Sequence, residues 1–243
     1  MKPENEQARM EAVRRYDILD TPPDGAFDRI TALAARLFDV PISTVSIVDH
    51  DRIWFKSRYG LDADEIDRHP GLCASAICQL EPWLVSDAAI DVRTIDNPLV
   101  AGELGLRFYL GVPLTTGDGF NLGTLNVIGI EPREVTDAEL ATLRDLAAIV
   151  VDELELRLDA LRELEERRRR ALELNDNVIQ GLAVAQLALQ LDRGDQALEA
   201  LDETLRSAQA IVGELLASAG ERGSLEPGDL VRGAAADVSS APR

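Results

Sequence analysis

The sequence predicts an α+β chain: an antiparallel sheet flanked by helices, then a long coiled-coil helix and a helical hairpin that dimerises as a four-helix bundle. Three observations predict it. Short apolar strand patterns separated by turns fill residues 40–130 with no strand–helix–strand repeat. From Thr136 to Pro227 no proline interrupts a run of apolar residues spaced three and four apart. A glycine turn, Asp192-Arg193-Gly194-Asp195, divides that run.

Glu6 to Leu19 reads as a helix, with Ala8, Ala12, Val13 and Tyr16 on one side. Thr21-Pro22-Pro23-Asp24-Gly25 breaks it. Phe27, Ile30, Leu33, Ala34 and Leu37 recur at the helical period and place a second helix over 27–37. Val40 to Val48 is rich in β-branched residues and reads as a strand. Asp49-His50-Asp51-Arg52 turns it into a returning strand at Ile53 to Tyr59. A short helix over 73–80 and strands at 83–85, 107–114 and 122–130 follow, the last two joined by the turn Thr115-Thr116-Gly117-Asp118-Gly119.

Thr136, followed by Asp137 and Glu139, makes a helix start: a hydroxyl cap with acids at the positive end of the dipole. Leu140, Leu143, Ala147, Val150, Leu154, Leu161 and Leu164 continue as a seam, interrupted at Arg157. The register carries on through Asn175, Val178, Leu182, Ala185 and Leu189. An unbroken helix to Leu191 would span roughly 80 Å. Gln196 to Ala217 reads as its antiparallel partner. Two such helices give half a core, which a second copy closes. The expected subunit contacts are Leu154, Leu161, Val178, Leu182 and Leu205. The domains expected are 1–155, 156–219 and a disordered tail over 220–243, rich in Gly, Ser, Pro and Ala.

Composition narrows the function. The 243 residues carry 44 acidic and 25 basic side chains, a formal charge of −19. That balance disfavours nucleic acid and anionic membrane as partners. No apolar run approaches the ~20 residues of a membrane-spanning helix, and the first residues hold no apolar signal core. Two cysteines make no disulfide framework. These features point to a reducing cytoplasm. Arg167 to Arg170 is a basic run, but Glu163, Glu165 and Glu166 precede it at pairing distance along a helix.

The first domain resembles a GAF domain. The strings that carry the likeness are Leu19-Asp20-Thr21-Pro22-Pro23, Phe27-Asp28-Arg29-Ile30, Phe38-Asp39-Val40-Pro41-Ile42, Asp96-Asn97-Pro98-Leu99-Val100 and Arg107-Phe108-Tyr109-Leu110-Gly111-Val112-Pro113-Leu114. The resemblance covers residues 10–155. It implies a central antiparallel sheet with a pocket on one face, and a role in sensing a small molecule or cofactor or in dimerisation. Phe55, Cys73, Tyr109 and Asn126 are the expected ligand contacts. Asn126 stands out because a buried amide in an apolar strand needs partners that a ligand would supply.

Glu166 through Leu216 is similar to the dimerisation and phosphoacceptor helices of the NarL-associated sensor kinases. The string Glu173-Leu174-Asn175-Asp176 holds asparagine where those kinases have their phosphorylated histidine. An amide nitrogen is delocalised into its carbonyl and does not attack ATP. The only histidines, His50 and His69, lie in the other domain. The expectation is a non-enzymatic signalling protein without a cofactor. Such a homodimer would bind a small molecule and address a sensor kinase or response regulator. Two alternatives stand beside it. One is a haem or redox sensor using His69, Cys73 or Cys78. The other is an active two-component kinase or phosphotransfer protein.

Overall fold

A computed structural model describes residues 2–69 and 71–220. The expected tail over 220–243 lies, apart from Gly220, outside the described residues. The chain divides into two compact units between Asp159 and Ala160.

The first unit is built on six antiparallel strands. They are β1 (Ile42–Val48), β2 (Arg52–Tyr59), β3 (Glu65–Asp67), β4 (Trp83–Val85), β5 (Phe108–Thr115) and β6 (Asn121–Gly129), in the order β3-β2-β1-β6-β5-β4. Ile47 pairs with Trp54, Val45 with Leu125 and Leu110 with Val127. Side chains alternate across a strand, so each residue step changes faces. Val45, Ile47, Phe108, Leu110, Leu125 and Val127 share one core cluster. Tyr109 belongs to a second cluster, with Phe55, Cys73 and Trp83.

Helices α1 (Glu6–Arg15), α2 (Gly25–Leu37) and the start of α5 (Asp137–Gln190) supply the first cluster. Asp24 caps α2 by accepting from the Ala26 amide at 3.0 Å. The predicted period over 27–37 places Leu33 and Leu37 on the buried side, yet both are exposed. Phe27, Ile30, Thr31 and Ala34 form the buried stripe instead. Helix α5 opens with a capping box. Thr136 Oγ1 accepts from the Glu139 amide, while Glu139 Oε2 accepts from the Thr136 amide at 2.8 Å. The short helices α3 (Cys73–Ala76) and α4 (Pro98–Ala101) lie in the long segment between β3 and β5.

One expected subunit contact is corrected. Leu154 is 1% exposed within the single chain, in the same cluster as Leu143, Leu146, Ala147 and Val150. The first part of the seam therefore packs into the core of the first unit.

The second unit comprises the rest of α5 and α6 (Gly194–Gly220). Ala185, Ala188 and Ala197 are buried together, with Ala200 against them. A Cβ on Gly181 would lie 1.7 Å from Thr204 Oγ1, so the helices approach closely there. Leu161 and Val178 are half-buried. Asn175, Leu182 and Leu205 are exposed, as are Leu172, Ile179, Leu187 and Leu198.

Leu154→Ala should lower the unfolding free energy of the first unit by ~2–5 kcal/mol in urea titration, with no change in molar mass by light scattering. A weakened association at unchanged stability would return Leu154 to a subunit interface.

Candidate ligand pocket

The second face of the sheet begins with polar residues. Thr44, Ser46, Thr124 and Asn126 are all buried. Tyr109 Oη donates to Asn126 Oδ1 at 2.7 Å. The Asn126 amide donates to Thr44 Oγ1 at 2.8 Å and Ser46 Oγ at 3.2 Å. Ser46 Oγ and Thr124 Oγ1 lie 2.8 Å apart. The partners expected of a ligand thus come from the protein itself. Burial pushes the Tyr109 phenol well above its ordinary range. A Cβ on Gly111 would lie 2.4 Å from Tyr109 Oη and 2.9 Å from Asn126 Oδ1, so the absent side chain makes room for this pair.

On this side Leu72, α3, Ala88 and α4 pack in one cluster with Tyr109. A cavity of about 350 Å³ sits there, lined by Arg68, His69, Leu72, Trp83, Arg93 and Asp96, among others. Trp83 meets Tyr109 edge-on at 5.5 Å. The Arg93 guanidinium stacks 5.3 Å from the Trp83 ring. Arg93 is also held by Asp91, with nitrogen–oxygen distances of 2.5–3.1 Å, and donates to the Leu84 carbonyl at 2.8 Å. Asn97 caps α4 through the Leu99 amide at 2.9 Å.

Arg68, which the sequence did not single out, is 7% exposed. Its Nη1 donates to Glu6, to the Asp49 carbonyl at 2.8 Å and to the His50 carbonyl at 3.4 Å. Its Nε and Nη2 have no partner among the described residues. Glu6 also accepts from Arg9 at 2.8 and 3.0 Å. Burial pushes the Glu6 carboxyl up, but hydrogen bonds from Arg9 and Arg68 outweigh it and hold the group at about 2.

A family model for the GAF domain matches residues 22–154. The chain belongs to the GAF domain family. It is 41% identical over 150 residues to a cyclic di-GMP phosphodiesterase of Pseudomonas aeruginosa. The match takes in 61% of this chain and 26% of that protein, so the chain spans about a quarter of its relative's length. Among solved structures, it is similar to the GAF domain of an Acinetobacter phosphoenolpyruvate-protein phosphotransferase (18% identity, TM-score 0.47, 63% of this chain and 93% of that one). It is also similar to a free methionine-R-sulfoxide reductase of Neisseria meningitidis (19%, TM-score 0.45, 68% and 96%).

Within the GAF domain Phe55, Tyr109 and Asn126 lie on the floor face and Cys73 on α3, and the cavity lining among the described residues includes none of the four. Tyr109 and Asn126 hold each other, and Cys73 is buried at the start of α3. Phe55 lines a different hollow, along β2. His69 does line the cavity. The Cys78 thiol, pushed up by burial, donates to the Ala74 carbonyl at 3.4 Å. No group of three or more His, Cys, Asp or Glu able to hold a metal occurs among the described residues.

Gly111→Ala should cost ~1–3 kcal/mol by displacing the Tyr109–Asn126 bond. In a thermal-melt double-mutant cycle, its cost should shrink in a Tyr109→Phe background, where the crowded oxygen is gone. Equal costs in both backgrounds would show that the crowding lies elsewhere. Glu6 has its own pH signature. A carboxyl lowered when folded stabilises above its unfolded value near 4.5 and loses that contribution as pH falls toward 2. Between these values, Glu6→Gln should flatten the decline of stability seen by circular dichroism.

Proposed function

We propose that this chain is a cytoplasmic, non-enzymatic relay. Its GAF domain takes up a small ligand in the cavity over the Tyr109–Asn126 floor. The hairpin beyond Asp159 joins two copies and presents a surface to a partner protein, a sensor kinase or a response regulator. The observation that carries this reading is α5. Leu143, Val150 and Leu154 of this one helix are core residues of the GAF domain, and its later residues carry the exposed leucines of the hairpin. A change in sheet packing therefore has a covalent route to the paired surface.

The hairpin is read as a dimerisation element derived from the phosphoacceptor helices of sensor kinases. Asn175 occupies the acceptor position. It is exposed and has no chemistry to offer ATP. Leu161, Val178, Leu182 and Leu205 are the contacts proposed for the second copy. An isolated pair of helices with this much wet leucine is poorly supported, and a four-helix bundle covers it.

Light scattering should give twice the chain mass, and Leu182→Asp with Leu205→Asp should halve it while the GAF domain's thermal transition stays in place. A monomeric parent protein would defeat the reading. Incubation with labelled ATP and magnesium should leave the protein unlabelled, and label on any residue would restore the kinase alternative.

A further inference from the structure

Resting on the hairpin's proposed role as the pairing element, we infer that its opposite face docks a basic amphipathic helix of a partner protein. Helices α5 and α6 run antiparallel and meet through Gly181, Ala185 and Ala188 on one side and Ala197, Ala200 and Thr204 on the other. An antiparallel pair has a local twofold across it. Residues just after the contact positions therefore share one broad face, and residues just before them share the other. Leu182 and Leu189 follow contacts on α5, as Leu198, Leu201 and Leu205 do on α6, and this is the face proposed for the second copy. Val184 and Leu187 precede contacts and lie on the opposite face, and Leu191 continues their stripe one turn on. All three are more than half exposed. A copy seated on Leu182 and Leu205 does not reach them.

The margin of this second face carries charge. On α6 the residues just before the contacts are Gln196, Glu199 and Glu203, all exposed. From Val178 to Leu191 α5 holds no charged side chain, so that stretch has nothing to answer the glutamates. Arg206 of α6 pairs with Asp202. Neither glutamate is ion-paired among the described residues. Like charges four apart on a helix repel, and a cation beside them removes that cost. The spacing of three and four in the stripe is that of a helix–helix contact. Small residues bring α5 and α6 close and leave a shallow seam along which a third helix can lie. An apolar stripe edged by Lys or Arg is the complement of Val184, Leu187 and Leu191 edged by Glu199 and Glu203. The same acidity disfavours an anionic membrane on this face.

The test is fluorescence anisotropy of two labelled peptides with the full chain. Each forms about four helical turns with Leu along one side, and its other side is Lys in one peptide and Glu in the second. The Lys peptide should bind at least about tenfold more tightly than the Glu peptide. Val184→Asp with Leu187→Asp should weaken the Lys peptide by about tenfold or more and leave the molar mass unchanged. Diffuse attraction to a chain of charge −19 predicts the reverse, because the two aspartates make it more acidic. Glu199→Lys with Glu203→Lys should turn the preference toward the Glu peptide. All four positions are exposed, so circular dichroism should show the helices intact. No binding, equal binding of the two peptides, or binding indifferent to both double variants would overturn the inference. So would phosphatidylcholine vesicles, or further copies of the chain, bound through Val184 and Leu187 in place of the peptide. A mass halved by Val184→Asp with Leu187→Asp would assign the stripe to the pairing surface, overturning the docking face and leaving the pairing. A monomeric parent that binds the Lys peptide through this stripe would defeat the pairing and keep the docking face.

Discussion

Burial of one sheet on both faces is the constraint from which the rest follows. Strands β1 and β6 have almost no exposed positions. Alternation then forces neighbouring residues into different surroundings. On one face Val45, Ile47, Leu125 and Val127 meet apolar helices and need only fit. On the other, Thr44, Ser46 and Asn126 carry polar atoms into a space that water does not reach. A half-satisfied network there would be worse than an apolar one. The strands therefore close it on itself through Tyr109, with Gly111 making the room. The polar atoms of this floor are bonded to one another. Arg68, Trp83 and Arg93 lie at the rim of this floor, around the cavity.

The rim is tied to the rest of the GAF domain by charge. Arg9, on α1, donates to the Asn121 and Leu122 carbonyls of β6 and to Glu6. Glu6 in turn holds Arg68 at the cavity wall. One carboxylate thus couples the N-terminal helix, a central strand and the loop after β3. Two arginines on one acid are balanced poorly by themselves. The Nε and Nη2 atoms of Arg68 are buried there without a partner among the described residues.

The strands were legible because each is a run of apolar and β-branched residues bounded by turn formers. Strand β3 was not. Its three residues, Glu65 to Asp67, alternate exposed, half-buried and exposed, and it lies at the sheet edge. Helix α4 is four residues long, too short for any period, and rests on the Asn97 cap. Asn126 was legible as an anomaly, while its partners were not, because Thr44 and Ser46 become its neighbours only through pairing of strands some eighty residues apart. Arg68 left no signal. Nothing in Ile66-Asp67-Arg68-His69 distinguishes an arginine packed under a loop from one in solvent, since burial here is decided by Glu6, sixty-two residues earlier.

The seam in α5 shows the same limit in another form. A three-and-four spacing says which residues share a side of a helix and is silent on what that side meets. Leu154 and Leu182 fit one register, yet the first is sealed in its own domain and the second is over half exposed. The hairpin's internal contact uses a neighbouring stripe of small residues, Gly181, Ala185 and Ala188, which lets α5 and α6 approach closely. Small residues exhaust themselves in that contact. Leu182 on α5 and Leu198 and Leu205 on α6 are left more than half exposed. The inner stripe of this helix pair is small and its outer leucines are wet. Asn175 is exposed on the same helix. An amide at an assembling surface fixes register through hydrogen bonding and asks for no nucleophile.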